Sequence, residues 1–130
     1  MHSGYTTIYV PDVSASLQFF ESAFGLQRRF LHDSGTYGEL ETGATALAFA
    51  DHSLAASHFP QGHVAAHSSP LPLGMEIALV TPDVASAHTK ALQAGATEIK
   101  APTAQPWGQT LSYVRCPDGT LVELCTPIGA

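Results

Sequence analysis

The sequence is short of charge, of cysteine and of long apolar runs, and each shortage narrows what the protein can do. Charged residues make up 12% of the 130 while apolar residues make up 45%. That is about half the usual charged share, so the chain reads as globular, with a surface rich in Ala, Ser, Thr, His and Gly. Lys and Arg number 5 against 11 Asp and Glu, a net charge of −6. This balance repels phosphate backbones and anionic lipid and argues against nucleic acid as a partner. No apolar run approaches the roughly 20 residues of a membrane span. The start, Met1-His2-Ser3-Gly4, leads into strand-type sequence without a signal-like apolar stretch. No membrane partner and a cytoplasmic location are expected. The 2 cysteines, Cys116 and Cys125, flank a turn at unequal distances, out of register for a disulfide, and read as reduced thiols.

What is present is a pattern that occurs twice. Tyr5 to Val10 is β-branched and aromatic, hence a strand, and Pro11-Asp12-Val13 ends it with Asp12 placed to cap a helix. Leu17, Phe20 and Phe24 then recur at helical spacing until Gly25 stops the helix. Strands follow at Gln27 to His32, Tyr37 to Thr42 and Thr45 to Ala50. About 71 residues later, Glu76 to Val84 repeats the strand and the Pro-Asp-Val, and Ala85 to Ala94 with Gly95 repeats the helix and its stop. Ala96 to Lys100 gives the next strand. Thr110 to Arg115 and Thr120 to Thr126, around the turn Cys116-Pro117-Asp118-Gly119, give the closing hairpin. The chain is therefore α+β, two βαβββ modules at about 4–50 and 75–127 within one domain of residues 1–130. Their helices should lie outside an open, cup-shaped mixed sheet. Residues 51–74 form a linker with four of the seven histidines. Their spacings of six, five and four match no zinc pattern, and the segment reads as solvated, with one short helix at Ser53 to Phe59.

Strand parity sorts the faces. Ile8, Val10, Ile77, Leu79, Val122 and Leu124 belong to the helix side. Tyr5, Thr7, Tyr9, Glu76, Ala78, Val80, Leu121, Glu123 and Cys125 belong to the concave side, where Glu76 and Glu123 meet among apolar neighbours. Such carboxylates are costly unless paired, coordinated or solvated. Glu39 shares parity with Tyr37 and can face the same surface. Trp107 and Gln109 sit at the lip of the hairpin, Trp107 as a wall for a planar ligand or as cover for a core edge. The tyrosines, including Tyr113, line the concave face or reflect strand propensity alone.

The Pro-Asp-Val-Ser-Ala-Ser-Leu-Gln-Phe-Phe-Glu segment, its counterpart Glu-Ile-Ala-Leu-Val-Thr-Pro-Asp-Val and the Pro-Asp-Gly-Thr-Leu-Val-Glu-Leu near the end carry a resemblance. The chain resembles the vicinal oxygen chelate superfamily, the glyoxalase, bleomycin-resistance and extradiol dioxygenase group, from Tyr5 to Pro127. The resemblance implies a cup holding one divalent metal, bound by the first and last strands of each module, and a homodimer. Glu123 matches the last-strand Glu, and Glu76 replaces a His or Gln while keeping an oxygen donor. Tyr5 and, on the fourth strand, Ala48, or Leu47 or Phe49 if the register slips, occupy the other two ligand positions, so the metal site of Glu76 and Glu123 is incomplete and any divalent ion would be weakly held. Extradiol cleavage is disfavoured, because no two-His-one-carboxylate triad can be assembled. Two readings remain open. One is a lyase or isomerase acting on a small oxygen-rich substrate, with Glu76 and Glu123 as acid and base and Tyr5, Thr7, Tyr9, Glu39, Trp107, Gln109 and Tyr113 as substrate contacts. The other is a metal-independent module that sequesters a small aromatic or antibiotic-like molecule.

Overall fold

The computed structural model describes residues 1–129. The first module comprises β1 (Tyr5–Val10), α1 (Val13–Phe24), β2 (Gln27–Leu31), β3 (Tyr37–Glu41) and β4 (Ala46–Asp51). The linker carries α2 (His52–His58) and a single 3-10 turn at Ala66–Ser68. The second module comprises β5 (Ile77–Val80), α3 (Val84–Ala94), β6 (Thr97–Ala104), β7 (Thr110–Arg115) and β8 (Leu121–Cys125). Each module forms an open, mixed four-stranded sheet, ordered β1-β4-β3-β2 in the first and β5-β8-β7-β6 in the second. First and last strands are parallel neighbours, and the remaining pairs are antiparallel. The α+β architecture of two βαβββ modules is thus as the repeat predicts.

Local chemistry explains the matching helices. Asp12 and Asp83 each accept a hydrogen bond from the backbone N–H three residues on, satisfying a donor that helix geometry leaves free. Gly25 adopts φ 68° and returns its N–H to Glu21, closing α1. Each helix covers one face of its own sheet, and α1 also packs against α3. One continuous core results, joining Val10, Leu17, Phe20, Leu47 and Phe49 to Val84, Ala91, Val114, Val122 and Leu124. Gly38 on β3 permits the close approach of α1, since a Cβ there would run into Leu17. The modules are also tied by a buried hydrogen bond in which Ser16 Oγ on α1 donates to Asp118 Oδ2 in the β7–β8 turn at 2.7 Å. The other carboxylate oxygen of Asp118 accepts from Thr120 N at 3.0 Å.

The helix-side residues expected from parity all join or flank this core. β6 runs to Ala104, beyond the expected end at Lys100, and tolerates Pro102 because it is an edge strand whose register shifts between Lys100 and Thr103.

Candidate functional site

The register of the second sheet sets Ala78, Glu123, Tyr113 and Lys100 side by side across four strands. Ser112 and Val114 turn into the core, so Tyr113 and Glu123 point to the open face. Tyr113 Oη donates to Glu123 Oε1 at 2.9 Å. Glu76, one residue before β5, lies beside Glu123, and the two carboxyls are coupled. Burial, followed by the Glu123 carboxyl and its negative charge, raises the Glu76 carboxyl to about 7. Burial opposes ionisation of Glu123 as well, but the neighbouring Glu76, Tyr113 and Cys125 side chains outweigh it and hold its carboxyl below the usual range. The two carboxyls therefore titrate as a pair, Glu76 shifted up and Glu123 down, with one proton held between them as pH approaches neutrality. Burial, followed by the neighbouring Glu123 carboxylate, pushes the Tyr113 phenol to about 12 and the Cys125 thiol to about 11. Both stay protonated; Tyr113 donates to Glu123, while the Cys125 thiol donates to Leu79 O at 3.8 Å.

Two cavities adjoin this pair. A broad hollow of about 690 Å³ lies over the second sheet, lined by Glu123, Tyr113, Cys125, Lys100, Trp107 and Gln109 among others. Trp107 is 62% exposed at its lip. Its Nε1–H donates to Gln109 Oε1 at 2.9 Å, and Gln109 Nε2 donates to Thr126 O at 2.8 Å. The Gln109 amide is thus occupied in fixing the indole. A smaller cavity of about 140 Å³ lies on the other side, under the linker, and is lined by Glu76, Thr7 and Tyr9.

The remaining sequence candidates sit apart. Tyr5 is 67% exposed on edge strand β1. Glu39 is buried on the open face of the first sheet, where Tyr37 Oη donates to it at 2.7 Å and Arg29 Nη1 at 3.2 Å. Arg29 also forms a forked pair with Glu41, at 2.8 and 2.7 Å. Glu39 thus has a cation beside it, unlike the pair in the second module.

The short helix expected in the linker at Ser53 to Phe59 is present as His52–His58, but the contacts that fold the linker back were missed. Arg115 Nη2 donates to the carbonyls of Ala66 and Ser69 at 2.8 and 2.7 Å, pinning the segment across one end of the second sheet. His52 lies between His63 and His67, with ring nitrogens 2.9 and 3.3 Å apart, and His63 packs against Tyr9. The spacing of these histidines gave no sign of this, because the contacts depend on how the linker folds back.

The donor set does not fit a four-ligand metal centre. Thr7 pairs with Ala48 as Ala78 pairs with Glu123, so Ala48 is the counterpart of Glu123 in the repeat, and Tyr5 is the counterpart of Glu76. Among the described residues, no three His, Cys, Asp or Glu side chains converge as a metal-binding group.

The comparisons with known proteins agree with this architecture. The chain is 34% identical over 125 residues to the uncharacterized protein YwbC of Bacillus subtilis (strain 168), covering 92% of each chain. It is similar in fold to a glyoxalase-related enzyme from Fulvimarina pelagi, with TM-score 0.81, 23% identity and coverage of 100% of this chain and 94% of that one. A glyoxalase/bleomycin resistance protein/dioxygenase family enzyme from Burkholderia phytofirmans PsJN is also similar, with TM-score 0.78, 22% identity and coverage of 95% and 96%. The family model of the glyoxalase/bleomycin resistance protein/dioxygenase superfamily matches residues 2–124, and the chain belongs to that superfamily.

Proposed function

We propose that the protein is a small-molecule lyase or isomerase that moves protons on an oxygen-bearing substrate held over the second sheet. The observation that carries this reading is the Glu76–Glu123 pair, which holds one proton between two carboxyls with Tyr113 as a further donor. A carboxyl near 7 beside an ionised one supplies an acid and a base at the same pH, the division of labour that general acid–base catalysis needs. Glu123 is the base, because it is the member kept ionised. Glu76 is the acid, and Tyr113 orients Glu123. Trp107 forms a side wall over the hollow. No step in this scheme passes through a metal.

The test is deuterium exchange at the carbon next to the carbonyl in a panel of small hydroxy-carbonyl compounds, followed by NMR in D₂O. Exchange is expected with the wild type, and Glu123→Gln should slow it by about 10²–10⁴-fold. Exchange that is equal in the two proteins would end the acid–base reading. A second reading, a binding module for a small aromatic molecule, draws on exposed Trp107 fixed by Gln109. It predicts ligand-induced thermal stabilisation that survives Glu123→Gln. We further propose that the chain works as a homodimer, and that its 2 free, buried thiols suit the reducing cytoplasm.

A further inference from the structure

The 140 Å³ cavity under the linker is separate from the broad hollow over the second sheet, yet Glu76 stands in its wall and is coupled to Glu123 in the wall of the other. Its size is close to that of cavities of about 150 Å³ that take up a single benzene ring. Apart from Glu76 and His63, the wall is built mainly from apolar side chains and methyl groups, among them Ile8, Val64, Leu73, Met75 and Leu121. It also contains Thr120, 7% exposed, whose hydroxyl oxygen has no hydrogen-bond partner among the described residues. The Thr120 oxygen is buried behind the wall rather than open to the cavity, which leaves Glu76 as the carboxyl set in an otherwise apolar lining.

The roof is not a loose flap. Arg115 ties down the backbone of Ala66 and Ser69. The His63 ring lies 5.6 Å from Tyr9 and 5.1 Å from His52, between centroids. The hollow is therefore shaped by held side chains on the β1, β5 and linker sides, and it opens to solvent past Val64 and Met75, which are 70% and 63% exposed.

We propose that this cavity is a specificity pocket for the apolar group of the substrate, a single ring or a branched chain of similar size, attached to a hydroxyl or carbonyl carbon. With the apolar group under the linker, the attached oxygen meets Glu76, and the neighbouring carbon lies on the Glu123 side of the pair. The inference rests on the acid–base reading only in assigning the reaction to that pair; occupancy of the pocket is independent of it.

The probe is benzyl alcohol, titrated into the full chain to about 10 mM, a range suited to the weak binding of so small a ligand, and followed through backbone amide NMR shifts. Saturable shifts are expected at His63, Met75 and Leu121. Val64→Trp and Thr7→Phe add bulk from the roof and the floor, and at least one should weaken the binding tenfold or more. The pocket is refuted if no saturable shift occurs, if the shifts centre on Lys100, Leu111 and Cys125, or if both variants bind as the wild type does. Deuterium exchange in wild type and Glu123→Gln separates the two ideas. Pocket binding without Glu123-dependent exchange keeps the pocket and removes the reaction, whereas exchange without pocket binding does the reverse.

Discussion

Glu76 and Glu123 carry the same functional group but are driven in opposite directions by their surroundings. Glu123 accepts a hydrogen bond from Tyr113, whereas Glu76 has the Glu123 charge beside it. This asymmetry has a consequence for stability. The Glu76 carboxyl is raised from 4.5 to about 7 on folding, so its protonated form favours the folded state. Its contribution is complete below 4.5 and is lost as pH rises through about 7. His52 acts in the opposite sense, because burial and the charges of His63 and His67 lower its pKa, so its contribution is lost as pH falls. A comparison that isolates Glu76 is therefore needed. Between pH 4.5 and 7, wild-type stability in urea should fall relative to Glu76→Gln, and the difference should level off above that window. Parallel pH profiles for the two proteins would rule out the shared proton. The sequence placed both carboxylates on one face by parity alone. It could not show which would hold the proton, because that depends on Tyr113 arriving from a neighbouring strand. A second polar group invites a catalytic reading and does not support one. His88 bridges Ser112 at 2.9 Å and Glu98 at 2.7 Å, but Ser112 has 0% exposure, so its hydroxyl meets no substrate and the trio serves to satisfy a polar group inside α3 and β7 packing.

At the scale of elements, the linker is where sequence reasoning stopped. The βαβββ repeats were legible because strand alternation, Pro-Asp caps and Gly stops are local signals, each decided by a few neighbouring residues. Residues 51–74 have no such period. Their order comes from distant partners: Arg115 on β7, Tyr9 on β1 and the turn at Gly119. Gly119 has φ +92°, and a Cβ there would collide with the Ala66 backbone. The Asp-Gly turn therefore does more than reverse the hairpin; its missing side chain makes room for the 3-10 turn of the linker. Gly119→Ala meets both left-handed strain and that collision, and should cost about 1–3 kcal/mol. The amides of 63–69 should also lose hydrogen-exchange protection, since the roof is displaced. A stability loss with linker protection unchanged would mean that the hairpin alone, and not the contact with Ala66, requires glycine.

At the scale of the whole molecule, the two modules differ in what they leave unfinished. Their helix sides meet in one core, but the open faces and sheet edges keep large apolar residues in water. Tyr5 is 67% exposed, Val80 65%, Trp107 62% and Ile99 49%. All eight residues of edge strand β6 are exposed, and a long exposed edge is a template for another chain. Scattered apolar residues need no explanation, but Val80 and Trp107 border the same hollow, and a hollow with an apolar rim is the kind of surface that association covers. A second copy, related by a two-fold axis, would enclose the hollow and exclude water from Glu123, which strengthens the electrostatics that the acid–base reading requires. Since Trp107 is the only Trp, it reports on this directly. At about 10 μM, in the range where stable interfaces are formed, the protein should sediment with twice the 13.7 kDa of one chain. Its Trp emission should shift to the red on dilution, as the indole becomes exposed to water. Sedimentation as a monomer at that concentration would refute the dimer. Dimeric mass with emission independent of dilution across the dissociation range would show instead that the chains associate through a surface remote from the hollow, leaving the carboxylate pair open to solvent on both copies.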